Sequence, residues 1–263
     1  MRVICIGAHP DDCEIEFGGT AAKLASRGDA VKFVSVTNGE AGHHLYPGSR
    51  LVAIRQGEAQ EAARRLGIAA TKVLQNPDGQ LLPSIEARNE VVRQIRVWEA
   101  DVVITHRVWD YHPDHRYTGQ LVQDSAYLVM VPFVCPETPA LRRNPAFFYL
   151  EDPFQLPVPF KADITVNIDD VWPRKLDALD AHRSQVYEWL PYLDDAEVPA
   201  GAAARRAWLD ATWSREPSVC SRAALGRRYG AEAAARVRHA EALEMSEYGR
   251  KLSLQELDEM FPR

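Results

Sequence analysis

Two short stretches of this chain carry residue types that coordinate metal ions. One is Ala8-His9-Pro10-Asp11-Asp12, the other His112-Pro113-Asp114-His115. His9 and Asp12, three positions apart, bring an imidazole and a carboxylate to one side of a turn, while Asp11 between them points elsewhere. Three ligands drawn from His9, Asp12 and His115 would make a two-histidine, one-carboxylate site. That is a catalytic zinc pattern, with the fourth position left to water. Zinc there lowers the water pKa to about 7 and polarises a carbonyl. Asp11 would stand beside the metal as a spare carboxylate suited to general-base work. His112 would be free to stabilise an oxyanion or protonate a leaving group. Asp114 could hydrogen-bond an imidazole and set its tautomer. Either tetrapeptide alone also suits a loop built on an Asx-turn; the pairing of the two carries the metal reading.

For the two stretches to meet, the strands before them must lie in one sheet. Arg2–Gly7 reads as a buried strand directly ahead of the first, and Asp101–Thr105 as another ahead of the second. Between them, Ala30–Thr37 and Lys72–Leu74 read as strands, and Gly18–Arg27, Leu51–Leu66 and Glu86–Glu99 as helices. Arg116–Met130 follows as a helix. This alternation, with near-continuous apolar strands, predicts an α/β fold: a parallel sheet with helices on both faces. In such sheets ligands bind at the carboxyl ends of strands. Beyond residue 150 the pattern is less regular. Pro153–Phe160 is held extended by its prolines, Ala162–Ile168 reads as a strand, and Trp172–Trp189 as a helix. The signal weakens from Leu190 to Ser221, and a last helix is expected over roughly Ala231–Met245. No linker separates domains, so residues 1–263 read as one domain with a C-terminal elaboration.

Composition limits the alternatives. The chain has 263 residues, 46% hydrophobic and 26% charged, as in an ordinary globular protein. Its 37 acidic against 31 basic residues give a net charge of −6, which argues against a nucleic-acid partner. No apolar run is long enough for a membrane span, and Val3–Ala8 is too short for a signal-peptide core. Cys5, Cys13, Cys135 and Cys220 are scattered, with no C-x-x-C pair. A cytoplasmic location is the expectation.

The run AHPDDCEIEFGGTAAKLASRGD, then VTNGEAG and later HPDH, resembles the LmbE-like/PIG-L family of zinc-dependent N-deacetylases. The resemblance spans nearly the whole chain, including Arg55, the turn Pro77–Gly79, KLDALDAHRSQ at Lys175–Gln185 and HAEAL at His239–Leu243. It implies a Rossmann-like fold and one zinc ion per chain, although such a donor set also accepts other divalent metals. It implies His9, Asp12 and His115 as ligands and Asp11 as general base. It further implies His112 as the group that stabilises the tetrahedral intermediate or acts as acid, with Asp114 supporting a neighbouring histidine. Arg55 and Asp78 would contact the substrate, an N-acetylglucosamine-type molecule or related amide. Family members often form trimers or hexamers, so a homo-oligomer is implied too. A non-catalytic metal- or sugar-binding relative and a metal-dependent phosphoesterase are the rival functions.

Other residues have competing readings. Gly18-Gly19-Thr20 could present N–H groups to an anion, although tight helix packing explains the glycines better. Arg55 could equally lie on a solvated helix face, and Asp78 could serve only its turn. Lys175, Ala178, His182 and Gln185 form a polar stripe, read as a solvated face ahead of a support for the site. Cys13 fits a small buried thiol better than a fourth ligand. Trp109, Asp110 and Tyr111 could wall the pocket, while His43, His44 and His106 receive no role.

Overall fold

A computed structural model describes residues 1–263. Strands β1 (Arg2–Gly7), β2 (Ala30–Thr37), β3 (Ala70–Asn76), β4 (Val102–Thr105) and β5 (Ala146–Leu150) are mutually parallel. Two more, β6 (Ile164–Asn167) and β7 (Ala240–Gly249), complete a seven-stranded sheet in the order β3-β2-β1-β4-β5-β7-β6. β7 runs antiparallel to both β5 and β6. The order reverses between β1 and β4, where Cys5 lies beside Ile104. Such a reversal opens a crevice at the carboxyl ends of its two strands.

Helices cover both faces of this sheet, as its buried strands require. They are α1 (Asp12–Arg27), α2 (Gly48–Leu66), α3 (Ile85–Val97), α4 (Pro113–Leu128) and α5 (Trp172–Ala181). Side chains alternate along β1, so Val3 and Cys5 enter one core with Phe17, Leu24, Phe148 and Leu176. Ile4 and Ile6 enter the other with Val92, Ile95 and Leu121. The C-terminal elaboration adds α6 (Leu190–Leu193), α7 (Ala202–Thr212), α8 (Val219–Tyr229), α9 (Ala231–Arg236) and α10 (Leu254–Met260). No helix is long and apolar enough to cross a membrane.

Strand β5 has no counterpart in the sequence reading, and three of the expected helices differ in the structure. First, α1 begins at Asp12, not Gly18. Mid-helix glycines each cost about 1 kcal/mol against alanine, which is why Gly18-Gly19 resembles a helix start. Packing requires Gly19, since a Cβ there would lie 2.7 Å from Ile168 Cδ1. The N–H groups of Gly19 and Thr20 do face an anion, the buried carboxylate of Glu241, at 2.9 and 2.7 Å. Second, the helix expected over 172–189 stops at Ala181, and a π-helical segment spans Gln185–Trp189. Between them the Ser184 N–H and hydroxyl are drawn to Glu58 at 2.8 and 2.6 Å. Third, the helix expected over 231–245 ends at Arg236, and Ala240–Gly249 is strand β7. Pairing on two sides there overrides the helix preference of its Ala, Glu, Leu and Met residues.

The polar stripe read over 175–185 is likewise not solvated. Lys175, His182 and Gln185 are all buried. Lys175 Nζ donates to Glu241 Oε1 and to the Ile15 carbonyl, each at 2.6 Å, so the pair braces α1 from behind. Removing one partner of a buried ion pair strands the other charge. Lys175→Met should therefore destabilise the fold by about 3–5 kcal/mol, read as a lowered midpoint in urea denaturation; an unchanged midpoint would show that the pair does not brace the helix.

Candidate active site

The site forms where β1 and β4 end. Gly7 closes β1 and has no room for a side chain, because a Cβ would sit 2.8 Å from Asp12 Cβ. The chain turns at Ala8–Asp11 and enters α1 at Asp12. The Asp12 Oδ2 atom accepts the N–H groups of Ala8 and His9, both at 2.8 Å. Beyond β4, the His112 Nδ1 atom caps α4 by accepting the Asp114 N–H at 3.2 Å, and Pro113 holds the first helical position. The second motif is thus the capped first turn of a helix, whereas the first is the turn that leads into one and joins it only at Asp12.

This places three donors face to face. His115 Nε2 lies 3.2 Å from His9 Nδ1 and 3.5 Å from Asp12 Oδ1. His9 Nδ1 lies 3.5 Å from Asp12 Oδ2. Zinc bonds of about 2.0–2.2 Å at tetrahedral angles separate donors by about 3.3 Å, so each pair stands near single-ion spacing, with His115 facing Oδ1 and His9 facing Oδ2 of Asp12. Three sets of donors converge around the same place: His9 with His112 and His115, Asp12 with His106 and His115, and His9 with Asp78 and Asp114. The electrostatics agree. Burial disfavours charge on His115, yet Asp12 and then Asp110 push its pKa up to about 10. Burial disfavours charge on His9 too, but Asp12, Asp114 and Asp78 together raise it well above the usual histidine range. Asp12 is held well below the carboxylate range, where His115 and His9 overcome burial. A field that keeps protons on these imidazoles also favours a cation among the three donors.

Each ligand candidate is held from behind. His115 Nδ1 lies 3.1 Å from Asp110 Oδ1, which also accepts the His112 N–H at 2.9 Å. His9 Nε2 is buried 3.2 Å from Asp78 Oδ1 and 3.5 Å from Asp114 Oδ2. Asp78 is anchored by the Ala41 N–H at 3.1 Å and Asp114 by the Gly79 N–H at 2.7 Å. His106 lies 3.1 Å from Asp12 Oδ2 and stacks on His115 with ring centroids 4.2 Å apart.

Asp11 is treated differently. It precedes α1 without capping it. Its Oδ1 accepts from Arg55 Nη2 at 3.1 Å, and the same nitrogen donates to the Pro10 carbonyl at 3.1 Å. Arg55 Nη1 donates to the Gly39 carbonyl at 3.3 Å. Gly39, at φ +72°, lets the loop wrap the guanidinium; a Cβ would lie 2.7 Å from Nη1. Burial pushes the Asp11 pKa up to about 6, Arg55 opposes the shift and Asp12 adds to it.

His9, Asp11, Asp12, Arg55, Asp78, His112 and His115 all line one cavity of about 520 Å³. Asp114 lies behind them at 1% exposure. Arg55 is buried against Asp11 and not on a solvated face, and Asp78 supports His9 as well as its turn. Of the tripeptide before HPDH, Asp110 and Tyr111 reach the cavity, whereas Trp109 is 44% exposed and lies outside the lining. The Cys13 thiol is engaged with the Cys5 carbonyl at 3.5 Å. Sequence reasoning assigned nothing to His106 and no histidine contact to Asp110. The signal available was position: His106 follows β4 directly, as His9 follows β1 by one residue.

Fold and site together define an α/β protein in which two histidines and a carboxylate converge at the topological switch, with a second carboxylate held beside them by Arg55. The family model described as PIG-L, GlcNAc-PI de-N-acetylase, matches residues 4–126. Diacetylchitobiose deacetylase of Thermococcus kodakarensis is 31% identical over 208 residues, 73% of this chain and 74% of that one. The structure of N,N'-diacetylchitobiose deacetylase from Pyrococcus horikoshii matches with a TM-score of 0.70 at 26% identity, over 93% of this chain and 83% of that one. The 4-carboxy-2-hydroxymuconate hydratase of Pseudomonas putida has a TM-score of 0.71 at 18% identity, over 96% and 100% of the two chains, and shares the fold alone. The chain belongs to the PIG-L (LmbE-like) family.

Groups that orient metal-binding histidines are typically worth 10–100-fold in metal affinity. Asp110→Asn should weaken zinc binding by about that factor in a chelator-competition titration. An unchanged affinity would remove Asp110 from this role.

Proposed function

We propose that this protein is a metal-dependent N-deacetylase that removes an acetyl or related acyl group from an N-acetylglucosamine-type molecule. The observation that carries the reading is the convergence of His9, Asp12 and His115 at single-ion spacing, with Asp11 beside them but bound to Arg55. The deacetylases named among its relatives support the acetylated-sugar substrate class. Residues 1–263 would act as one unit, since the core under the site runs from Val3 to Phe261.

His9, Asp12 and His115 would hold zinc, which acts as a Lewis acid toward the amide carbonyl and acidifies water. Asp11 takes the proton of the attacking water. Its Oδ1 is fixed by Arg55, so the carboxylate cannot swing onto the ligand set and keeps its other oxygen for the proton. His112 supplies a donor for the developing oxyanion. Its Nδ1 accepts a backbone N–H, which leaves the proton of the neutral ring on Nε2. The amine departs after protonation from Asp11 or His112. Arg55 and Asp78 flank the cavity as the hydrogen-bonding side that meets the sugar.

A general base contributes typically 10²–10⁴-fold. Asp11→Asn should lower kcat on diacetylchitobiose by about that factor while zinc content stays unchanged. Near-native turnover in this variant would contradict the assignment of the base.

A further inference from the structure

The chain between β5 and β6 folds without main-chain pairing. No residue from Glu151 to Ala162 makes a backbone–backbone hydrogen bond, and Pro153, Pro157 and Pro159 have no N–H to offer. Side chains must organise such a segment. Its two ends have anchors of their own. Glu151 accepts the hydroxyls of Ser218 and Ser221 at 2.6 and 2.8 Å, and Phe160 packs with Ala224 and Ala242. Between these ends the chain folds onto Arg107, which follows β4 by two residues and is buried. Arg107 Nε faces Asp152 Oδ2 at 2.9 Å, and Nη2 donates to the Val158 carbonyl at 2.6 Å. Nη1 donates to Glu244 Oε2 on β7 at 3.2 Å, and the same oxygen accepts the Lys161 N–H at 3.3 Å.

This segment walls the cavity with Asp152, Pro153 and Phe154. The Phe154 ring stands 6.2 Å from that of Tyr111, which in turn stands 5.6 Å from His115. The wall therefore begins one ring away from the ligand cluster. Tyr111 is held independently, because Arg116 Nη1 donates to the carbonyls of Asp110 and Tyr111 at 2.7 and 2.9 Å. The Phe154 N–H instead goes to Asp152 Oδ1 at 2.9 Å, while the other oxygen of that carboxylate faces Arg107. Asp152 thus ties Phe154 to the guanidinium. All three nitrogens of Arg107 face protein acceptors, so this residue acts on a bound molecule through the segment.

We propose that Arg107 is a positioning residue for substrate binding: it holds Asp152–Pro159 as a strap along the cavity, and Phe154 is the strap side chain that meets the substrate. This deepens the deacylase reading and rests on it for the identity of the substrate. Phe154 touches neither the metal ligands nor Asp11, so it binds ground state and transition state alike. Such contacts set KM and leave kcat unchanged. The hold depends on shape as well as charge. A guanidinium fork meets acceptors in three directions, which a lysine ammonium on its flexible stem does not reproduce.

Two measurements on the zinc-reconstituted protein test this. Proteinase K digestion reads the strap without any substrate, and steady-state hydrolysis of diacetylchitobiose reads the wall. Arg107→Lys should be cut within residues 152–160 at least about tenfold faster than the native chain. It should also raise KM about tenfold, with kcat within about threefold and zinc content unchanged. Phe154→Ala should raise KM to the same degree while its strap is cut at the native rate, because the clamp is intact. Asp152→Asn leaves the guanidinium in place, so it should shift cleavage and KM in the same directions even where the Arg107 variant does not fold. Native-like cleavage of Asp152→Asn and of any folded Arg107→Lys overturns the clamp. Faster cleavage with unchanged KM overturns its part in substrate binding, as does a joint loss of kcat and zinc, which would place Arg107 among the supports of the metal ligands. If the native protein hydrolyses no N-acetylated sugar, the deacylase reading fails by itself, and the digestion still decides whether Arg107 holds the strap.

Discussion

The structure turns on the carboxylate of Asp12. It is buried, it takes two backbone N–H groups from the turn after β1, and it faces the ring nitrogens of His9 and His115. Backbone donors fix it in place beside the imidazoles. Positive charge must therefore be supplied among the three groups. Much of the surrounding design follows from keeping this cluster rigid. Gly7 lets Asp12 approach the strand, Asp110 steadies His115, and Asp78 and Asp114 stand behind His9.

A second constraint separates Asp11 from its neighbour. Two adjacent carboxylates on one turn would compete for the same cation. The Arg55 guanidinium, buried and wrapped by the Gly39 loop, claims Asp11 before the cluster can. Arg55 comes from α2, and the π-helical segment after α5 holds the same loop through Gln185 Nε2 and the Gly42 carbonyl at 3.1 Å. Behind α1, Lys175 and Glu241 brace the other side. The polar residues Lys175 and Gln185, one on α5 and one on the π-helical segment after it, thus reach the site by two routes, and of the two only Gln185 touches the cavity.

How much of this was legible in the sequence depended on range. Four of the five parallel strands declare themselves by apolar runs, Ala146–Leu150 being the one not read, and a sheet that holds both Arg2–Gly7 and Val102–Thr105 brings HPDD and HPDH to one edge. The chemistry of these motifs could be read because ligand, base and cap lie within four residues of each other. The supporting groups could not be read this way. Nothing local distinguishes Asp110 beside His115 from an ordinary turn aspartate, and His106 acquires its place only when β4 is set beside β1. Arg55 resembles a solvated helix residue until the Gly39 loop folds over it. Strand β7 was hidden for the converse reason: its residues prefer helix, and only the exposed edges of β5 and β6 make it a strand.

The proposed function requires one ion held by His9, Asp12 and His115 and by no other side chain. Zinc K-edge absorption on the reconstituted protein addresses it most directly, because it counts imidazoles around the metal and separates oxygen and nitrogen from sulfur by distance. The account predicts one zinc per chain with two imidazoles, the remaining scatterers being oxygen. A third imidazole from His112 or His106, a sulfur at about 2.3 Å, or a second zinc in the same chain would contradict it.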